Sequence, residues 1–335
     1  MRSTLLLDAS QVRELLPPAD CIAAVEAGLL RAALSGGPGP GVLGMPTTEG
    51  GFHVKAAALQ LNRHYFAAKL NGNFSANPAR HGLPTIQGLV ILCDADTGTV
   101  LAAMDSAELT RLRTGAATAV AAKLLARPGS RTVVVFGCGR QAGMQVACLQ
   151  QVLPLATVLL HDRDREAAER LAGWIRRELA LEALALDEQV ALQRARECDV
   201  VVTCTPSTRF FLGRPQIGRG SFIAAVGADD SRKQELDPAL LAENTVVVDV
   251  LEQCATIGEL HHALDAGVMT RGDVHGELGD LLAGRRPGRR DALEITIFDS
   301  TGTAVEDVAA AAMVFERAVA QHQGTRFEFA REAAP

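Results

Sequence analysis

Residues 131–146, RTVVVFGCGRQAGMQV, pass from β-branched residues through a glycine turn into helical spacing, and this run constrains the fold of the 335-residue chain more than any other. Gly137-Cys138-Gly139-Arg140-Gln141-Ala142 fits G-x-G-x-x-A between a strand and a helix, the arrangement that receives a dinucleotide. The first glycine permits a tight turn and the second lets a pyrophosphate approach the backbone. Ala142 or Gly143 keeps helix and strand close, and the amides at the helix start, from Arg140 and Gln141 onward, face the phosphates. Asp162 closes the next predicted strand, where a carboxylate accepts both ribose hydroxyls. That acid favours NAD because it repels a 2′-phosphate. Arg163 and Arg165 beside it could bind one, so NADP stays open.

The pattern around this run is consistent with it. β-Rich runs at 132–136, 157–161, 199–205, 222–227, 245–250 and 294–300 alternate with helical stretches such as DREAAERLAGWIRRELA, and their near-continuous apolar character suits a sheet covered on both faces. Upstream, the spacing predicts a helix over 19–34 that stops at the breaker SGGPGPG. Strands follow over 52–59, 64–71, 86–94 and 99–105, the last two joined as a hairpin by DADTG. A long helix is expected over 106–129, with Asp105 and Glu108 at capping-box spacing, and a final helix over 303–321. The fold class is therefore α/β. A doubly wound parallel Rossmann sheet spans 129–302, and a second α+β domain is built from 1–128 and 303–335.

Composition narrows the partners. A net charge of −6 without a basic stripe argues against nucleic acid and anionic lipid. The apolar run before Asp8 is too short for a signal peptide, and no apolar stretch reaches the length of a spanning helix, so a cytoplasmic chain with no membrane partner is expected. Seven cysteines without a C-x-x-C read as reduced core thiols. His261 and His262 are neighbours on a predicted helix, face different directions and lack a third ligand at suitable spacing. No metal is assigned.

Six stretches taken in order, AAKLNGNF, GLPTIQGLVILCDADTG, LTRLRTGAATAVAAKLLA, VVVFGCGRQA, AAVGADDSRKQELDPALL and EITIFDSTGTAVED, resemble the ornithine cyclodeaminase and mu-crystallin family over residues 50–320. The resemblance implies an NAD(P)-dependent enzyme working at the nitrogen-bearing carbon of an amino or imino acid. It also implies a homodimer formed through the sheets of the domain that binds substrate.

Site residues follow from the same resemblance. Lys69 shares a strand face with Tyr65 and Asn71, away from Phe66, Ala68 and Leu70, and matches a lysine that meets the substrate near its reacting carbon; Asn71 is placed beside it at the substrate. Arg113 matches an arginine whose planar fork grips an α-carboxylate, while Arg111, two residues away, points elsewhere. Asp229, third in GAD and four residues before Lys233, matches the acid-base carboxylate, at the carboxyl end of a predicted parallel strand where ligands bind in such sheets. Thr203 and Thr205 in TCTP, Val226, Ser300 and Thr301 match positions lining the dinucleotide, with Ser300 or Thr301 able to reach the carboxamide. Each of these matches also has a plainer reading, as a surface lysine, a helix salt bridge or turn chemistry.

One departure from the family pattern bears on specificity. Ornithine-cyclising members carry an arginine in the N-terminal segment, whereas SGGPGPGVLGMPTTEGG holds no basic residue. Lys55, on the less apolar face of the preceding strand with His53, is the natural substitute anchor. The reading that results is an imine reductase or amino-acid dehydrogenase using NAD(P) on a small imino or amino acid, of the pyrroline-2-carboxylate kind. The alternatives are an ornithine cyclodeaminase with tightly held NAD and a mu-crystallin-like, non-catalytic protein that binds its cofactor.

Overall fold

The computed structural model describes residues 3–36 and 41–329. The SGGPGPG breaker falls largely on residues 37–40, outside the described residues. The chain forms two compact units, residues 114–302 and residues 1–113 with 303–335.

In the first of these units eight strands form an all-parallel sheet. Their order is Gly276–Glu277, Thr245–Val248, Thr296–Asp299, Phe222–Ala225, Val200–Thr203, Thr132–Phe136, Thr157–His161 and Glu182–Ala185. The central strands are buried from end to end, as a sheet with both faces covered requires. This is the doubly wound α/β fold expected from the sequence. The crossover after Thr157–His161 is the helix Arg165–Trp174, capped by Asp164, and it continues into a wider turn over Ile175–Leu179. A short parallel pair, Thr208–Leu212 with Gln234–Leu236, stands apart from the main sheet and was not legible as strand.

The other unit carries a seven-stranded sheet ordered Thr325–Phe327, Thr4–Leu7, Val100–Asp105, Ile86–Asp94, His64–Asn73, Gly51–Gln60 and Gly41–Pro46. All pairs are antiparallel except Thr4–Leu7 with Val100–Asp105, and Ile86–Asp94 with Val100–Asp105 is the hairpin that DADTG indicates. The C-terminal helix Ala304–Ala320 opens on a Thr303–Glu306 capping box and packs on this sheet and on the helix Pro18–Ser35. Gly28 marks how close those helices come: a Cβ there would lie 2.6 Å from that of Ala309. Tyr65, 2% exposed, anchors the helix by donating to Glu316 Oε1 at 2.6 Å.

The alternation on His64–Asn73 runs opposite to a simple reading. Tyr65, Ala67 and Lys69 are buried, while Phe66 and Leu70, on the side that looks apolar, are exposed. The sheet therefore turns its polar chemistry inward under the C-terminal helix.

Candidate active site

The dinucleotide turn is assembled by strand ends. Gly137 adopts φ +92°, and a Cβ on it would lie 2.8 Å from the carbonyl of Cys204, so both conformation and space demand glycine. Gly139 is different: a Cβ there would meet nothing within 4 Å, which leaves its backbone open to a ligand. Gly143 faces the Trp174 ring, 3.2 Å from where its Cβ would be, and Ala142 is fully buried. Arg140 is exposed at the start of the helix Ala142–Leu149, with Gln141 at its cap position.

Asp162 is fixed to the turn it serves. Its Oδ2 accepts the amide of Cys138 at 2.6 Å and its Oδ1 the amide of Asp164 at 2.8 Å. A cavity of about 690 Å³ opens beside it, lined by Gly137, Asp162, Arg163, Thr205, Arg209 and Phe211 among others. Arg163 borders that cavity, whereas Arg165 is committed to Asp187 and Glu169. Thr203 is fully buried at the end of its strand, and Val226 extends the neighbouring strand by donating to the Thr203 carbonyl at 2.8 Å. Thr301 and Ser300, both buried, divide their work. The Thr301 hydroxyl donates to Asp249 at 2.9 Å and accepts from Gln253 at 2.7 Å, while the Ser300 hydroxyl finds no partner among the described residues.

Asp229 lies on the loop after Phe222–Ala225, 46% exposed at its side chain, with Lys233 Nζ donating to it at 2.5 Å. Its neighbour Asp230 pairs instead with Arg232. The loop returns past Lys233, whose carbonyl accepts from His262 Nε2 at 2.7 Å. The rings of His261 and His262 meet edge to face with centroids 4.6 Å apart, yet their Nε2 atoms go to different partners, Asp265 for His261 and the Lys233 carbonyl for His262. Among the described residues no group of three or more histidine, cysteine, aspartate or glutamate side chains is arranged to hold a metal ion.

The unit that includes the C-terminal helix brings together Lys69 and Arg113. Lys69 Nζ lies 2.7 Å from Asp307 Oδ2 and donates to its Oδ1 at 2.9 Å; Arg113 Nε is 3.1 Å from Asp307 Oδ1, and its NH1 donates to Glu306 at 2.9 Å. Both cations are only 4% exposed. Arg111 turns to Glu108, as residues two apart on a helix should. Lys55 stands directly across from Lys69 in register, and His53 across from Asn71, whose Oδ1 accepts from Ser106 at 2.5 Å.

Charge balance in this cluster sets the protonation of its members. Burial, then Arg113, lowers the Lys69 pKa to about 8 against the pull of Asp307. Burial works to raise the Asp307 pKa, but Lys69 and Arg113 prevail and hold it below the usual carboxylate range. Glu306 and Asp307 were missed from the sequence, where two acids in the first turn of a helix read as ordinary capping and dipole chemistry.

The family profile described as ornithine cyclodeaminase/mu-crystallin matches residues 2–322. The chain belongs to that family. Among solved structures, an archaeal alanine dehydrogenase dimer with bound NAD is 36% identical, with 98% of this chain and 99% of that one covered at a TM-score of 0.92. The Thermococcus litoralis Δ1-pyrroline-2-carboxylate reductase in complex with NADH and L-proline is 28% identical, covering 96% and 99%, with a TM-score of 0.90. The Paracoccus denitrificans iminosuccinate reductase in complex with NAD+ is 33% identical, covering 98% and 100%, with a TM-score of 0.88. No helix among the described residues is long and apolar enough to cross a membrane.

Proposed function

We propose that this chain is an NAD-dependent imine reductase or amino-acid dehydrogenase that acts on a small imino or amino acid. The observation that carries the reading is the buried cation cluster. Lys69 and Arg113 share Asp307, Arg113 also pairs with Glu306, and Lys55 is near enough for its charge to act on both Lys69 and Asp307. Lys69, Arg113 and Lys55 gather three cationic donors in one place, a set that suits the carboxylate of a small imino or amino acid. Arg113 suits that carboxylate through its planar fork, and Lys69 and Lys55 add charge from adjacent strands. Asn71 is kept beside them by Ser106.

The cofactor's needs fit the residues present. The open backbone at Gly139 and the helix start with Arg140 and Gln141 suit a pyrophosphate. Asp162 and the cavity beside it suit a ribose without a 2′-phosphate, and the unspent Ser300 hydroxyl suits the carboxamide. Bound NADH supplies the hydride that an imine carbon takes up, and bound NAD+ accepts it in the reverse direction. Asp229 then manages the proton: its carboxyl group gives one to the substrate nitrogen as the imine becomes an amine, and takes one back when the amine is oxidised. Lys233 holds the Asp229 carboxylate in place between turnovers.

The exposed apolar side chains of the antiparallel sheet, among them Leu43, Met45, Phe52, Leu70 and Leu89, suit a second copy of the chain, which makes a homodimer the proposed assembly. Purified protein incubated with NADH and with pyrroline-2-carboxylate, iminosuccinate, or pyruvate plus ammonia tests the reading; loss of the reduced nicotinamide absorbance is expected with at least one. Ammonia release from ornithine without net absorbance change would replace it with cyclodeamination. Cofactor binding with neither signal would replace it with a binding role.

A further inference from the structure

Among the buried carboxylates that the mechanism above leaves unused, Glu235 lies beside both ligand loops of the parallel sheet. Glu235 is 0% exposed on the short strand Gln234–Leu236. Its Oε1 accepts the amide of Thr205 at 2.6 Å, in the loop that follows Val200–Thr203. Its Oε2 accepts the amide of Gly227 at 2.9 Å, in the loop that follows Phe222–Ala225 and carries Asp229. Glu235 is itself held, because Glu259, 1% exposed, accepts its amide at 2.7 Å and that of Leu236 at 3.1 Å.

The space around it has been shaped to the carboxylate. A Cβ on Gly227 would lie 2.4 Å from Glu235 Oε2 and 2.5 Å from the Thr205 carbonyl, so glycine at 227 is what admits the charge between the loops. Between Gly227 and the acid the chain turns tightly, the Asp229 amide donating to the Gly227 carbonyl at 3.1 Å. Burial raises the Glu235 pKa, and the Thr205 and Gly227 amides act against it by donating to the carboxylate, so the grip on the two loops is also what favours the charge.

We propose that Glu235 is a positioning residue that ties the dinucleotide loop at Thr205 to the acid-bearing loop at Gly227, so that cofactor contact and the posture of Asp229 are set by one carboxylate. The proposal rests on the function proposed above for Thr205 and Asp229, but its geometry does not. It extends the site by a link that acts on both halves of the chemistry without touching a reactant.

The test compares wild type with Glu235→Gln and Glu235→Asp. A glutamine keeps the shape but turns an NH2 group toward one of the two amides, and an aspartate keeps the charge but is too short to span both. Native-state hydrogen exchange is expected to accelerate at Thr205 and Gly227 in the glutamine variant by about 10- to 100-fold, the worth of a charge-assisted bond, with Val202 and Ala224 on the strands unchanged. NADH affinity, read by fluorescence, and kcat fall together, while substrate KM moves little, and in the aspartate variant, too short to span both loops, exchange at the two amides accelerates together. Unchanged exchange at both amides, or loss confined to one in the glutamine variant, overturns the coupling. Should neither variant fold, wild-type exchange decides: the two amides must open with one common free energy, and unequal openings overturn the proposal. If wild-type protein does not bind NADH, the proposed cofactor use fails while the exchange result still judges Glu235.

Discussion

In the parallel sheet, Val200–Thr203 and Phe222–Ala225 are buried along their whole length, whereas His64–Asn73 in the antiparallel sheet alternates, with Lys69 inside and Phe66 and Leu70 outside. Neither of those parallel strands carries a charged side chain, and the candidate residues of that unit, Asp162, Thr205 and Asp229, lie where strands stop. The antiparallel sheet admits a lysine to its interior only because Glu306 and Asp307 head the helix that covers it. One unit presents a carboxylate that water can reach; the other holds a carboxylate between two cations. The first can exchange a proton, and the second organises charge.

Asp229→Asn attacks the reachable carboxylate and carries the largest expected effect. Loss of a positioned acid-base group lowers kcat by about 10² to 10⁴-fold. Because Asp229 is exposed, stability should stay within about 0.5 kcal/mol of wild type. Steady-state kinetics alongside urea unfolding measure both. Full activity in this variant would remove Asp229 from proton transfer and with it one side of the contrast.

Asp307→Asn inverts the pattern. Lys69 and Arg113 then remain buried with less compensation, and breaking a buried ion pair costs about 3–5 kcal/mol. Urea unfolding should show that loss directly, and a stability equal to that of Asp229→Asn would erase the distinction between an organising acid and a working one.

Lys69 sharpens the comparison through pH. Its pKa falls from 10.5 to about 8 on folding, so between those values the unfolded chain holds a proton that the folded chain has shed. The cost of burying the ammonium is fully present below pH 8, and the lysine's contribution to stability grows as pH rises toward 10.5. The melting temperature of wild type relative to Lys69→Met should therefore climb across this window. Activity moves the other way. If the ammonium assists the substrate, kcat/KM declines above about pH 8, approaching tenfold per unit. A flat stability difference would mean that Lys69 titrates as an ordinary lysine.

How far these features could be read beforehand follows from their range along the chain. The strand, turn and helix around Gly137 are local, so the parallel sheet and the dinucleotide turn were legible, as was the hairpin at DADTG. Lys69, Arg113 and Asp229 were marked as candidates by family resemblance. Their partners were not, because Lys69 meets Asp307 and Thr205 meets Glu235 only after distant segments have folded. The inward turn of Lys69 was hidden for a related reason. A two-residue period says which side chains share a face but not which face is covered, and the covering helix comes from the far end of the chain. Thr208–Leu212 and Gln234–Leu236 pair with each other across the Asp229 loop and are too short for periodicity to declare.

The uncovered face of the antiparallel sheet supplies the smallest expected effect and the test most specific to that unit. Leu70 and Leu89 are directly opposed on neighbouring strands and are 47% and 53% exposed. Burying a leucine is worth about 1.5–3 kcal/mol, so Leu89→Lys should weaken self-association by about 10- to 100-fold, readable by sedimentation across a dilution series. The substitution adds a solvated charge to an exposed position, so the monomer keeps its fold. Leu184, 44% exposed on the edge strand Glu182–Ala185 of the parallel sheet, gives the comparison its counterpart. It stands singly rather than in an apolar face, and Leu184→Lys should leave the association constant where it was. Equal responses from Leu89 and Leu184 would mean that the exposed face is ordinary surface, and that the inward turn of Lys69 has no matching use for the side it turns away from.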